Sequence, residues 1–173
     1  KKVADKLASM FKNDREDFEA KWDDVSVFVH YGMLSEEKFY DKSKTFALYK
    51  NTDGKYFTFD EYLEKIKANQ TDKNNKTVFL YAHNAEEQHT FIQSAKDRGY
   101  DVLLLDSPLT SHLVGQLEQK HDNVSFVRVD GDTIDNLIAK DEEIPSKLSV
   151  KEKETLKPVF EELVEKEKFT IQV

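Results

Sequence analysis

The sequence predicts an α/β protein: a helical connector, then a small three-layer αβα domain with a parallel β-α-β-α-β core, then a short tail of one helix and one strand. Three observations carry this reading. The runs VFLYAH (78–83), DVLLLD (101–106) and VSFVRV (124–129) are nearly continuous in apolar residues, as parallel strands covered on both faces are. The segments between them carry helix start and stop signals, at a spacing that suits right-handed crossovers. Through the first fifty positions, apolar residues recur instead at steps of three and four, the period of an amphipathic helix.

Taken in order, Val3, Leu7, Met10 and Phe11 form a helical stripe that begins with no cap before it. Asn13 and Asp14 can cap a second helix bearing Phe18, Trp22, Val25 and Val29, and Gly32 is placed to end it in the left-handed conformation. Ser35 then caps a third helix, stapled by Leu34 and Phe39, whose apolar positions Phe39, Phe46 and Tyr49 run to the turn NTDG (51–54). Thr58 has Glu61 three residues on and Phe57 set to pack on Tyr62, a complete start signal for a fourth helix. NQTDKNNK (69–76) is a polar loop. Asn84 with Glu87 caps the first crossover helix, and Gly99 ends it. Ser107 and Pro108 open the second, with Leu109, Leu113, Val114 and Leu117 as its apolar face; proline at the first helical position loses only an N–H that had no partner. DEEIPSK (141–147) is a charged linker, Pro158 starts a tail helix with Val159, Leu163 and Val164, and FTIQV (169–173) reads as a strand. The expected domains are therefore 1–56, 57–140 and 141–173. Both ends look truncated, as in a piece of a longer protein.

Composition narrows the function. With 173 residues, 38% of them apolar and 35% charged, the chain can bury one sizeable core or two small ones beneath a solvated surface. No apolar run approaches the roughly 20 residues that span a bilayer, so no membrane partner is expected. The absence of cysteine fits a reducing cytoplasm. A net charge of −8, with lysines interleaved among acids, argues against nucleic acid, whose binding rests on clustered Lys and Arg.

Few positions invite chemistry. The first strand runs through Asn84 into AEEQHTF with no glycine to admit a phosphate and no P-loop lysine, so nucleotide binding here is not expected. His83, Asp106, Asp130 and Asp132 fall at or beyond the strands' carboxyl ends, where open α/β sheets bind ligands. They read as a Mg²⁺ or acid–base site, as in a small enzyme or signalling domain, or else Asp106 and Asp132 accept hydrogen bonds from nearby helix N-termini; among 34 acids, three carboxylates favour the second. His30, His89, His112 and His121 show no metal-ligand spacing and read as solvated or partly packed. The twelve Phe and seven Tyr fall mostly at core spacing and read as packing. No catalytic, cofactor or metal residue is assigned.

The order of elements resembles a known family. A connector bearing Trp22, the segment YGMLSEEKFYDKSKTFALYKNTDGKYFTFDEYLEKI, then VFLYAH, GYDVLLLDSPL and a closing strand are similar to the middle domain of heat-shock protein 90 chaperones of the bacterial branch. The capped FTFDEY start, the strand-Asp-x-Pro sequence LLLDSP and the linker into a proline-initiated helix are the more specific parts. The resemblance implies a molecular chaperone that binds non-native client proteins. It also implies ATP and magnesium for the intact protein, with the ATP pocket and catalytic arginine outside this segment and no cofactor in the segment itself. It implies a homodimer through a C-terminal domain of which only the start is present, so this piece is expected to be a monomer.

One helix stands out within that frame. PLTSHLVGQLEQK (108–120) has no Lys, Arg, Asp or Glu from Pro108 to Leu117, and a charge-poor surface helix can be a partner-binding patch. In the resembling family the corresponding helix exposes a large side chain on a face implicated in client contact, at the position of His112 here. Leu109, His112 and Gln116 are the candidate client contacts; the competing expectation is a helix buried against an adjoining domain.

Overall fold

A three-stranded parallel sheet holds the centre of the structure, a computed structural model that describes residues 2–140 and Pro158. The chain divides into two units, 1–140 and 141–173. The expected linker, tail helix and terminal strand fall in the second and lie outside the described residues, apart from Pro158, which is helical and exposed.

Strands β3 (Thr77–Ala82), β4 (Val102–Leu104) and β5 (Val124–Arg128) lie in the order β4-β3-β5, all parallel, with Leu80 opposite Val102 and Phe79 opposite Phe126. Helix α5 (His89–Asp97) joins β3 to β4, and α6 (Thr110–Lys120) carries the chain back across β3 to β5. The two connections, β3 to β4 and β4 to β5, run in opposite directions along the sheet, so the helices cover opposite faces. Because strand side chains alternate, Val78, Leu80, Ala82 and Val102 pack with Ile92 and Ala95 of α5, while Phe79, Leu103 and Val124 pack with Leu113 and Leu117 of α6. Leu137 of the short helix α7 (Ile134–Leu137) joins the α5 side. This is the αβα layering expected from the runs of apolar strand residues. Each fully buried Leu or Phe contributes about 1.5–3 kcal/mol through area removed from water.

The N-terminal helices extend the α6-side core without a break. Helix α1 (Lys2–Asn13) buries Ala4 and half-buries Leu7, Met10 and Phe11, whereas Val3, expected on that stripe, is exposed. Helix α2 (Arg15–Ser35) is capped by Asp14, whose carboxylate accepts from Asp17 N–H, and buries Phe18, Trp22, Val29 and Met33. Gly32 does not end it. The helix continues to Ser35, and Gly32 instead gives room to the Phe39 ring, which would meet an added Cβ at 2.8 Å. Ser35 is likewise not a cap, since its hydroxyl donates to the Tyr31 carbonyl. Glu36 takes the cap position of α3 (Glu37–Ser43) without a side-chain bond.

The stretch after α3 is a hairpin, not the rest of a helix. Strand β1 (Leu48–Lys50) pairs antiparallel with β2 (Tyr56–Thr58) around a turn in which Gly54 adopts φ +75°. Phe46 and Tyr49, expected on a helix, are buried, Phe46 against Phe18 of α2 and Tyr49 against Phe59. Helix α4 (Phe59–Ile66) starts as expected: Thr58 Oγ1 accepts from Glu61 N–H, Glu61 accepts from Thr58 N–H at 2.9 Å, and the Phe57 and Tyr62 rings lie 5.6 Å apart. Arg15 of α2 clamps the same Glu61 carboxylate at 2.5 and 2.8 Å, and this bond is the first cause of that carboxyl's lowered pKa. Gly99 ends α5 at φ +74°, as its place in the sequence predicts.

Candidate functional site

The strand ends come first, since open α/β sheets bind ligands there. The turn after β3 has two backbone N–H groups, of His83 and Asn84, that in a nucleotide-binding fold would face a phosphate. Here both donate to Gln88 Oε1, at 2.7 and 3.0 Å. Asn84 Oδ1 in turn accepts from the N–H groups of Glu86 and Glu87, so the expected cap closes a turn ahead of α5, with Gln88 and not Glu87 returning the bond. The first βα turn is filled by its own side chains.

Of the three acidic residues at the other strand ends, Asp130 and Asp132 are used locally. His83 Nδ1 lies 2.9 Å from the Leu105 carbonyl, tying β3 to the end of β4. Asp130 pairs with Arg128 at 2.7 and 2.9 Å, which holds its carboxyl below the usual carboxylate range. Asp132 accepts from Thr133 N–H at 2.6 Å and Asn136 Nδ2 at 3.1 Å, the helix-start role expected of it. Asp106 is exposed, and the N–H of Leu109 is taken by Ser107 Oγ instead. Among the described residues no three His, Cys, Asp or Glu side chains gather as a metal site would require.

The charge-poor helix α6 lies with Leu113 and Leu117 fully buried and Thr110 buried, its hydroxyl donating to the Leu105 carbonyl. The three candidate contacts are not equivalent. His112 is exposed, Leu109 is half-buried, and Gln116 is turned toward α2, its Nε2 donating to the Met33 carbonyl at 2.9 Å. Helical geometry explains part of the difference: 113 and 117, one turn apart, fix the inward face and 112 lies on the outer side, whereas Leu109, a turn before Leu113, stands on the inward side at the cap position of α6 and is half-buried there.

Between α2 and the β4–α6 turn lies a cavity of about 330 Å³, walled by Trp22, Val27, His30, Leu48, Leu105 and Pro108, with Asp23, Lys50 and Asp106 also lining it. His30, which its sequence spacing reads as solvated or partly packed, is buried, 7% exposed, with neither ring nitrogen hydrogen-bonded within the protein. Its ring stands edge-on to Trp22 at 5.8 Å and stacks on Tyr49 at 6.2 Å. Burial lowers its pKa from 6.5 to about 4, so the imidazole is neutral at pH 7. Sequence reasoning missed this site. His30 sits one residue past Val29 on a helix whose inward face is about 100° wide, so spacing alone left it at the boundary.

Comparisons with known proteins agree with this architecture. The middle domain of a heat-shock protein from Plasmodium falciparum superimposes with a TM-score of 0.53 at 16% identity, over 75% of this chain and 55% of that one, so the fold is that of a heat-shock protein middle domain. The sequence model of the family described as Hsp90 protein matches residues 1–173, and the chain belongs to that family. It is 50% identical over 160 residues to chaperone protein htpG of Bacteroides fragilis strain YCH46, covering 92% of this chain and 24% of that protein. It is also 50% identical over 161 residues to chaperone protein HtpG of Porphyromonas gingivalis strain W83, covering 93% and 24%. The chain thus spans about a quarter of the length of these relatives. Among the described residues, no helix is long and apolar enough to cross a membrane.

Proposed function

We propose that this chain is the client-binding and force-transmitting middle segment of a cytoplasmic, ATP-dependent chaperone, and that it is not itself an enzyme. The observation that carries the reading is family membership over the whole chain, together with relatives that are chaperone proteins HtpG. In the intact protein, ATP and magnesium would bind outside this segment. In support, the two amides of the first βα turn that could have cradled a phosphate are held by Gln88. Residues 1–56 would serve as the connector, 57–140 as the small αβα subdomain and 141–173 as the entry to a dimerisation domain. This chain alone would be a monomer and the whole protein a homodimer.

Non-native clients would meet the outer flank of α6. Its support is chemical: from Pro108 to Leu117 no side chain is charged, His112 is exposed, and Leu109 beside it is half-exposed. Contacts of this kind are shallow and adaptable, with affinity near micromolar or weaker, about 8 kcal/mol at most. Gln116, engaged with Met33, would contribute least. The test is titration of the ¹⁵N-labelled chain with a partly folded client, with shifts expected at Leu109 and His112 and weaker binding by His112→Asp. Client-induced shifts that His112→Asp leaves unchanged would refute the α6 assignment.

A further inference from the structure

Three features of α2 are left unexplained by the α6 surface. Val27, Phe28 and Tyr31 are exposed by 41%, 77% and 64%, placing three large side chains within one turn on one side of the helix. Single exposed apolar side chains are ordinary on a protein surface; a cluster of three marks an interaction site. Val27 also lines the cavity of about 330 Å³ beside Trp22, Leu48, Leu105 and Pro108, so the exposed cluster continues into a cleft large enough for a bulky side chain. The charge bordering this surface has one sign. Lys50 is neutralised by Asp23 at 2.7 Å, whereas Asp24, one turn before Val27 and Phe28, and Asp106 at the cavity are exposed and make no ion pair among the described residues.

We propose that this face of α2, with the adjoining cavity, is a docking surface for a basic amphipathic peptide segment, which seats one large apolar side chain in the cavity and sets cationic side chains against Asp24 and Asp106. Charge selects this occupant. A second copy of the chain carries a net charge of −8 and would bring acid against acid, and an uncharged apolar segment would desolvate two carboxylates without compensation. The surface does not use Leu109 or His112, so it stands or falls independently of the α6 reading.

Trp22 is the only tryptophan and lines the cavity, so its emission reports occupancy. The probe is a short lysine-rich synthetic peptide with one central leucine, titrated into the 173-residue chain. A saturable change in Trp22 emission is expected, weakened by added salt. Binding should fall on the order of 10-fold when the lysines are replaced by glutamates or the leucine by glycine, and equally in Phe28→Ser/Tyr31→Ser and in Asp24→Asn/Asp106→Asn. His112→Asp should leave it unchanged. Phe28, Tyr31, Asp24 and Asp106 are all exposed, and circular dichroism checks that the variants remain folded. The proposal is overturned if the glutamate peptide binds as well as the lysine one, if Phe28→Ser/Tyr31→Ser binds like the parent chain, if no peptide binds, or if sedimentation shows that this face is covered by a second copy of the chain.

Discussion

The side-chain amide of Asn51 lies 3.1 Å from each carboxylate oxygen of Asp101, fastening the β1–β2 turn to the entrance of β4. Asp101 is 8% exposed and also accepts from Lys65 of α4 and from Val102 N–H, while its own N–H donates to Gln70 Oε1 at 2.6 Å. Asn51 Oδ1 meanwhile accepts from the N–H groups of Asp53 and Lys55, shaping the turn. One buried carboxylate therefore joins three elements that are distant in sequence. Asp101→Ala leaves the buried Asn51 amide without its acceptor and should cost about 2–4 kcal/mol. Urea denaturation measures it, and a loss below about 1 kcal/mol would mean the network contributes little.

Acid sensitivity should centre on His30. Its folded-state pKa, about 4, lies below its ordinary value of 6.5, so between those values the unfolded chain binds a proton that the native imidazole does not. Stability contributed by the neutral ring is complete above pH 6.5, falls as the pH drops, and levels off near pH 4. A gap of that size corresponds to about 3 kcal/mol. His30→Phe, which keeps a ring between Trp22 and Tyr49, should flatten this part of the stability profile. A parallel pH dependence in both proteins would show that other groups govern it.

Gly32→Ala pits two rules against each other. Helix propensity alone predicts a gain of about 1 kcal/mol at a mid-helix glycine with ordinary backbone angles. Packing predicts the reverse, because the new methyl would lie 2.8 Å from Phe39 Cε1, and overpacking costs about 1–3 kcal/mol. We expect a net loss near 1 kcal/mol in chemical denaturation. A more stable variant would mean that the half-buried Phe39 ring moves aside freely.

Two neighbours on α6 should behave oppositely. Leu113 is 1% exposed, and Leu113→Asp places an unpaired charge in the core, enough to unfold the domain. His112 is exposed, and His112→Asp should change stability by less than about 0.5 kcal/mol. Circular dichroism and thermal melts distinguish the pair. Severe destabilisation by His112→Asp would make α6 a purely structural helix.

Local chemistry made much of this protein legible in its sequence. The apolar strand runs, the reciprocal Thr58–Glu61 cap, the Phe57–Tyr62 contact and the left-handed Gly99 each follow from residues within about five positions of one another, where side chains meet with little dependence on the rest of the chain. The family too was readable, because it is carried by the order of such local elements.

Tertiary contact decided the rest. Phe46 to Lys50 has helical spacing by itself, yet β1 forms there because β2 supplies a partner edge and Asn51 reaches Asp101 fifty residues away. Gly32, an apparent helix stop, stays helical because what it accommodates is the Phe39 ring. His30 becomes a buried neutral base only when α2 closes on Tyr49 and the β4–α6 turn. Periodicity shows which face of a segment turns inward, but the side chains it meets there, and so the burial, pairing and charge of each group, come from segments far along the chain.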